Sequence, residues 1–142
     1  MDPRTKARQL AMQALFQLDV QGPSLLADLD EFFRENAPEL PVRTLASEWT
    51  RGAWANICAC DNLIAAAALK WKLSRLSQVD KSILRLAVYH LKFCPDIPPK
   101  VTINEAIELA KKFGTEKSPA FVNGVLDGVL RKITEVKQEA SK

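Results

Sequence analysis

Histidine occurs once in the 142 residues, at His90, and cysteine three times, at Cys58, Cys60 and Cys94. No Cys or His falls in the paired spacing of a metal site. Cys58 and Cys60, two apart on a helix, point to different sides, which argues against a disulfide, so the thiols are expected to be buried and reduced. A single histidine without a sequence-local partner reads as structural or solvated. Glycine is scarce too, at five residues, and none of them builds a phosphate-cradling loop. No uncharged run approaches the ~20 apolar residues of a membrane span. The basic start at Met1-Asp2-Pro3-Arg4 lacks the apolar run of a secretory signal. A cytoplasmic binding protein is expected rather than an enzyme, with no cofactor and no metal.

Apolar residues recur at helical spacing throughout, and no strand pattern is sustained. The clearest stretch runs from Thr102 to Ile133 as two helices and a tight turn. Thr102 and Glu105 read as a capping box. Ile103, Ala106, Ile107, Ala110 and Phe113 form one apolar face, and Gly114 is expected to end the helix in the left-handed conformation. Ser118 and Pro119 restart the chain as cap and first turn, and Val122, Val125, Leu126, Val129 and Ile133 line the next face. Gly124 and Gly128 read as small residues that permit close helix packing.

Upstream, a first helix is expected from Arg4 to Val20, stopped by Gly22-Pro23. A second runs from Ser24 to Glu35, with a break from Asn36 to Pro41. Val42 to Trp71 reads as two helices dividing between Asn56 and Asn62, with Trp49, Trp54 and Trp71 in the core. Leu73 to Gln78 is a connector, and Ser77 with Asp80 opens a helix that ends before Pro95. Ile83, Leu84, Ala87, Val88 and Leu91 are its inner face, and Lys81, Arg85 and Lys92 its outer one. The expected fold is all-α, one domain of about seven helices in two small bundles, residues 4–71 and 78–135.

The net charge of +3 is modest but segregated. Pro3 to Leu18 contains Arg4, Lys6 and Arg8 and no acid, whereas Asp19 to Glu48 has seven acids against Arg34 and Arg43. Such segregation suits an anionic partner on one side of the molecule. Lys6, Gln9, Gln13 and Gln17 make a polar stripe with Phe16 at its edge, able to bond bases and phosphates or to serve as an ordinary solvated face. A second candidate is the turn from Gly114 to Phe121. There a helix N-terminus at Ser118, with Lys111, Lys112 and Lys117 nearby, could hold a phosphate, and Phe121 could stack on a base.

Three segments carry a family resemblance: Val101-Thr102-Ile103-Asn104-Glu105-Ala106-Ile107-Glu108-Leu109-Ala110-Lys111, then Phe113-Gly114, then Phe121-Val122-Asn123-Gly124-Val125-Leu126-Asp127. This is similar to the C-terminal signature of the NusB family of bacterial transcription antitermination factors. Val79-Asp80-Lys81, Ile83-Leu84-Arg85, Tyr89 and the opening Ala7-Arg8 with Ala11, Gln13, Ala14 and Leu15 follow in the same order. The resemblance implies a two-bundle RNA-binding fold that binds boxA RNA of rRNA transcripts together with the ribosomal protein NusE. The pair joins other Nus factors on RNA polymerase and suppresses premature termination. Carried over, the RNA-binding positions are Arg4, Lys6, Arg8, Glu116, Lys117, Ser118 and Phe121, and Gln13 on the polar stripe is expected to read bases. The partner-facing acid is Asp80, with its neighbour Lys81 expected on the same face.

Thr5 stands where the family often has another arginine, His90 where glutamate is usual, and Lys117 where an acid is common. The last strengthens phosphate contact and offsets the first. Two alternatives stay open. Similar domains precede the catalytic domain of rRNA cytosine methyltransferases, and a helical scaffold could bind only protein, forming a homodimer through its first bundle.

Overall fold

Helix α1 (Pro3–Gln21) begins where Asp2 accepts the Arg4 backbone N–H at 2.8 Å and ends at Gly22, whose φ of 98° suits a residue without a Cβ. In the computed structural model residues 2–68 and 76–140 are described, so Trp71 and the start of the Leu73 connector lie outside the described residues. The expected second helix is divided. Pro23–Asp28 is a 3₁₀ turn with no buried residue, and only α2 (Leu29–Asn36) is α-helical, anchored by buried Leu29 and Phe33. Helix α3 (Leu40–Ala55) starts before the expected break is over, with Pro41 in its first turn. At Asn56, whose side chain donates to the Gly52 carbonyl at 2.8 Å, the chain turns into α4 (Ile57–Ala67).

Ser77 caps α5 (Gln78–Phe93) as the spacing predicts, its Oγ accepting the Asp80 N–H at 3.0 Å. Helix α6 (Pro99–Phe113) corrects the expected start at Thr102. Pro98 and Pro99, with φ fixed near helical values, begin the helix about one turn earlier. Thr102 is therefore inside the helix and buried, its hydroxyl without a hydrogen-bond partner. Glu105 reaches across to α1 instead of back to a cap.

Helices α1, α2 and α3 pack together, and α5, α6 and α7 (Ser118–Ala140) form a second group. Helix α4 lies on α5 and α7 and meets α3 only near their shared corner, so it joins the second group rather than the first, where a boundary at residue 71 had placed it. Both α1 and α3 touch α5, and one continuous core results, with Leu15, Leu18, Phe33, Ile64, Leu84, Val88, Leu126 and Val129 fully enclosed. Trp49 is buried and Trp54 packs on the core from its edge. Gly128 does permit close packing, since a Cβ there would lie 3.2 Å from that of Ala67, but a Cβ on Gly124 would meet nothing within 4 Å. Cys60 is buried and its thiol is pushed up to about 12, mainly by burial and then by Asp61. Cys94 is half-buried, and Cys58 is exposed, contrary to the expectation for all three.

Candidate nucleic-acid interface

The first turns of α1 carry the three expected cations in three different settings. Arg4 is exposed. Lys6 is partly exposed and donates to Glu39 at 3.3 Å. The Glu39 carboxyl is held below its usual range, first by a hydrogen bond to its own backbone and then by Lys6. Arg8 is buried, which corrects its expected place on an outer basic surface. Its guanidinium lies 3.8 Å from Glu105 and 5.2 Å from the Trp49 ring centre, and burial lowers its pKa more than Glu105 raises it. Helical geometry explains the difference: Arg8 is three positions from Ala11 and four from Met12, so it shares their inward face.

The polar stripe of α1 meets the end of α6. Thr5 donates to Glu105 at 2.9 Å, and one turn on, Lys112 donates to the Gln9 side chain at 2.9 Å. Gln13 and Gln17 then line a shallow cleft of about 240 Å³ with Met12, Phe16, Val79 and Phe113. The fold thus brings α1 beside the chain that enters the Gly114 to Phe121 turn. Lys112, which also lies 5.4 Å above the Phe113 ring, is the contact that joins them. Its basic type and position near the turn were visible in the sequence; its partner, 103 residues away, was not.

Within the turn Glu116 and Lys117 are exposed, and Phe121 is half-buried against the core. Ser118 does not act as an outward cap. It is buried, and its Oγ accepts the Thr115 backbone N–H at 3.0 Å, so it holds the turn closed from inside. Gly114 likewise departs from expectation: its backbone is extended, with φ of −92°. A glycine is needed there because a Cβ would lie 2.5 Å from Ser118 Oγ and 2.8 Å from the Ala110 carbonyl oxygen. Gly114→Ala is expected to displace Ser118 and lower stability by about 1–3 kcal/mol, measured by urea unfolding. A loss within the error of wild type would show that the turn repacks freely.

The expected partner positions are less open. Asp80 is half-buried, with one carboxylate oxygen enclosed and unbonded, and Lys81 is largely buried 3.7 Å from Asp19. Arg85, read as an outer-face residue, is buried: Asp61 accepts two of its N–H groups at 2.8 Å each and Asp19 a third at 3.0 Å. The two acids come from α4 and α1, and no local pattern announces them. Burial would lower the Arg85 pKa, and the hydrogen bonds to Asp61 and Asp19 more than offset it.

Among the described residues no group of three or more His, Cys, Asp or Glu could hold a metal ion, and no helix is long and apolar enough to cross a membrane. Cations, amides and a half-exposed ring lie around one helix end. The family model described as NusB matches residues 5–131. The chain belongs to the NusB family. A transcription antitermination protein NusB of Syntrophus aciditrophicus is 40% identical over 139 residues, covering 98% of this chain and 86% of that one. The structure of T. maritima NusB matches with a TM-score of 0.79 and 40% identity, over 92% of each chain. A crystal structure of antitermination factors NusB and NusE in complex with double-stranded RNA matches with a TM-score of 0.83 and 28% identity, over 93% of this chain and 98% of that one. The all-α fold read from the sequence is the fold of this family. The relatives it matches are named for transcription antitermination.

Proposed function

We propose that this protein binds boxA-like RNA of rRNA transcripts together with a NusE-type ribosomal protein and so suppresses premature termination. The observation that carries this reading is the likeness to a NusB solved with NusE and RNA, joined to a cation- and amide-rich surface along α1. RNA crosses the start of α1 and the Gly114 to Phe121 turn. Arg4, Lys6, Lys112 and Lys117 hold phosphates, which position the strand without reading it, and Gln13 and Gln9 offer amides to base edges. Lys6 must exchange Glu39 for phosphate. Arg8, Glu116 and Ser118 support this surface from beneath or beside it: Arg8 fixes α1 against Trp49, and Ser118 fixes the turn. Asp80, half-buried at the start of α5, offers its carboxylate charge to a basic face of the partner, and Lys81 keeps that helix end against Asp19.

The test is a fluorescence-anisotropy titration of boxA-like and scrambled RNA, with and without NusE, at two salt concentrations. Preference for boxA that tightens with NusE and weakens with salt is expected; equal weak binding to both RNAs would exclude the reading. Phe121→Ala is expected to weaken boxA binding by about 1–3 kcal/mol, the worth of one base stacked on an aromatic ring. Circular dichroism of the same variant checks that the helices persist. Undiminished affinity would remove Phe121 from the interface.

A further inference from the structure

On the other flank of α1 a cleft of about 660 Å³ opens between α1, α3 and the α5–α6 connection. Its volume is that of a small-molecule site. Arg4 and Arg8, one helical turn apart on α1, supply positive charge. Trp49, Leu45, Ile97 and Val101 supply apolar wall, and Phe93 and Val101 are exposed large hydrophobic residues at its rim. Arg8 is only 4% exposed, yet its Nε–H has no acceptor. A buried guanidinium N–H without a partner is costly, and since Arg8 lines the cleft, an anion there would offset that cost through the guanidinium charge. The start of α6 adds to this field: Pro98 and Val101 line the cleft, and no side chain caps the helix. Glu48 and Asp96 also line it, both exposed and neither paired with a cation among the described residues.

This combination is more specific than an anion site. Cations match a phosphate, flat aromatic and aliphatic walls match a base, and free carboxylates match a base edge with two adjacent N–H donors. Among the common bases guanine presents that edge. We propose that the cleft is a binding site for a guanine nucleotide, its phosphate against Arg4 and Arg8 and its base against the Phe93–Val101 rim, with Glu48 or Asp96 accepting from the base. The nucleotide is either free or the 5′-terminal unit of an RNA. In the free form the inference does not depend on boxA recognition.

Equilibrium dialysis of the full chain against labelled GMP, with guanosine and inorganic phosphate as separate probes, tests the site. Saturable GMP binding below about 1 mM is expected, with guanosine and phosphate at least about tenfold weaker. Val101→Trp, at the exposed rim, fills the cleft without touching Arg8 and is expected to weaken GMP binding by about tenfold or more. The double variant E48Q/D96N is expected to weaken it similarly while leaving phosphate binding unchanged. A 5′-phosphorylated, guanosine-initiated RNA that displaces GMP would identify the RNA end as a source; failure to displace, with GMP still bound, would identify the free nucleotide. No saturable GMP binding, or equal binding by wild type and Val101→Trp, overturns the proposal. The boxA anisotropy titration on Val101→Trp keeps the two readings apart, since loss of GMP with retained boxA binding belongs to the cleft alone.

Discussion

Arg85→Met is expected to lower the unfolding free energy by about 3–5 kcal/mol, because it removes one partner from a buried ion cluster and strands the other two. The Arg85 side chain is 9% exposed and those of Asp19 and Asp61 are 20% and 22% exposed, so water replaces little of what is lost. Among the described residues Asp61 would keep no cation, and Asp19 only Lys81 at 3.7 Å. The three residues join α1, α4 and α5, so the loss reaches the contact between the two groups of helices. Urea unfolding followed by far-ultraviolet circular dichroism measures it. Adding Asp61→Leu to Arg85→Met is expected to recover part of the loss, since apolar replacement of a buried pair is often neutral. A cost for Arg85→Met below about 1 kcal/mol would place the cluster among solvated surface pairs.

Acid is expected to weaken the fold through His90 well before most carboxylates are protonated. His90 is 1% exposed, set edge-on to Trp49 with ring centres 4.5 Å apart, and its Nε2 has no hydrogen-bond partner. Burial, and then the nearby Arg8 charge, lower its pKa from 6.5 to about 3. Between those two values the unfolded chain takes up a proton that the folded chain refuses, so stability falls as pH falls through this window. The contribution is about 2–3 kcal/mol on going from pH ~7 to pH ~4.5. His90→Gln removes this proton uptake, and its stability is expected to fall less than wild type over the same interval. Parallel urea-unfolding curves at the two pH values compare the proteins. An identical fall in both would mean that His90 is protonated in the folded state or does not control the acid response.

What the sequence determined by itself was the run of helices and many of their inward faces. The 3.6-residue recurrence of Ala7, Leu10, Ala11, Ala14, Leu15 and Leu18, or of Val122, Val125, Leu126, Val129 and Ile133, is a local property that any packing partner would exploit. Caps and breaks written in adjacent residues were equally legible, as at Gly22-Pro23 and Ser77. Local signals misled where two of them competed. The pair Pro98-Pro99 took the start of α6 from Thr102 and Glu105, and the hydroxyl of Ser118 turned inward to Thr115.

The tertiary structure alone decided the fate of the charged groups. Arg8 and Arg85 were both read as outward-facing cations, because an unpaired charge does not belong in a core. Each is buried because acids from distant parts of the chain come to meet it, Glu105 for Arg8, and Asp19 with Asp61 for Arg85. The same holds for the candidate interface, where Lys112 and Gln9 become one surface only after α6 has packed beside α1. Periodicity records which way a side chain points from its own helix; what waits there is set by the other helices, and long-range charge pairing leaves no mark in local spacing.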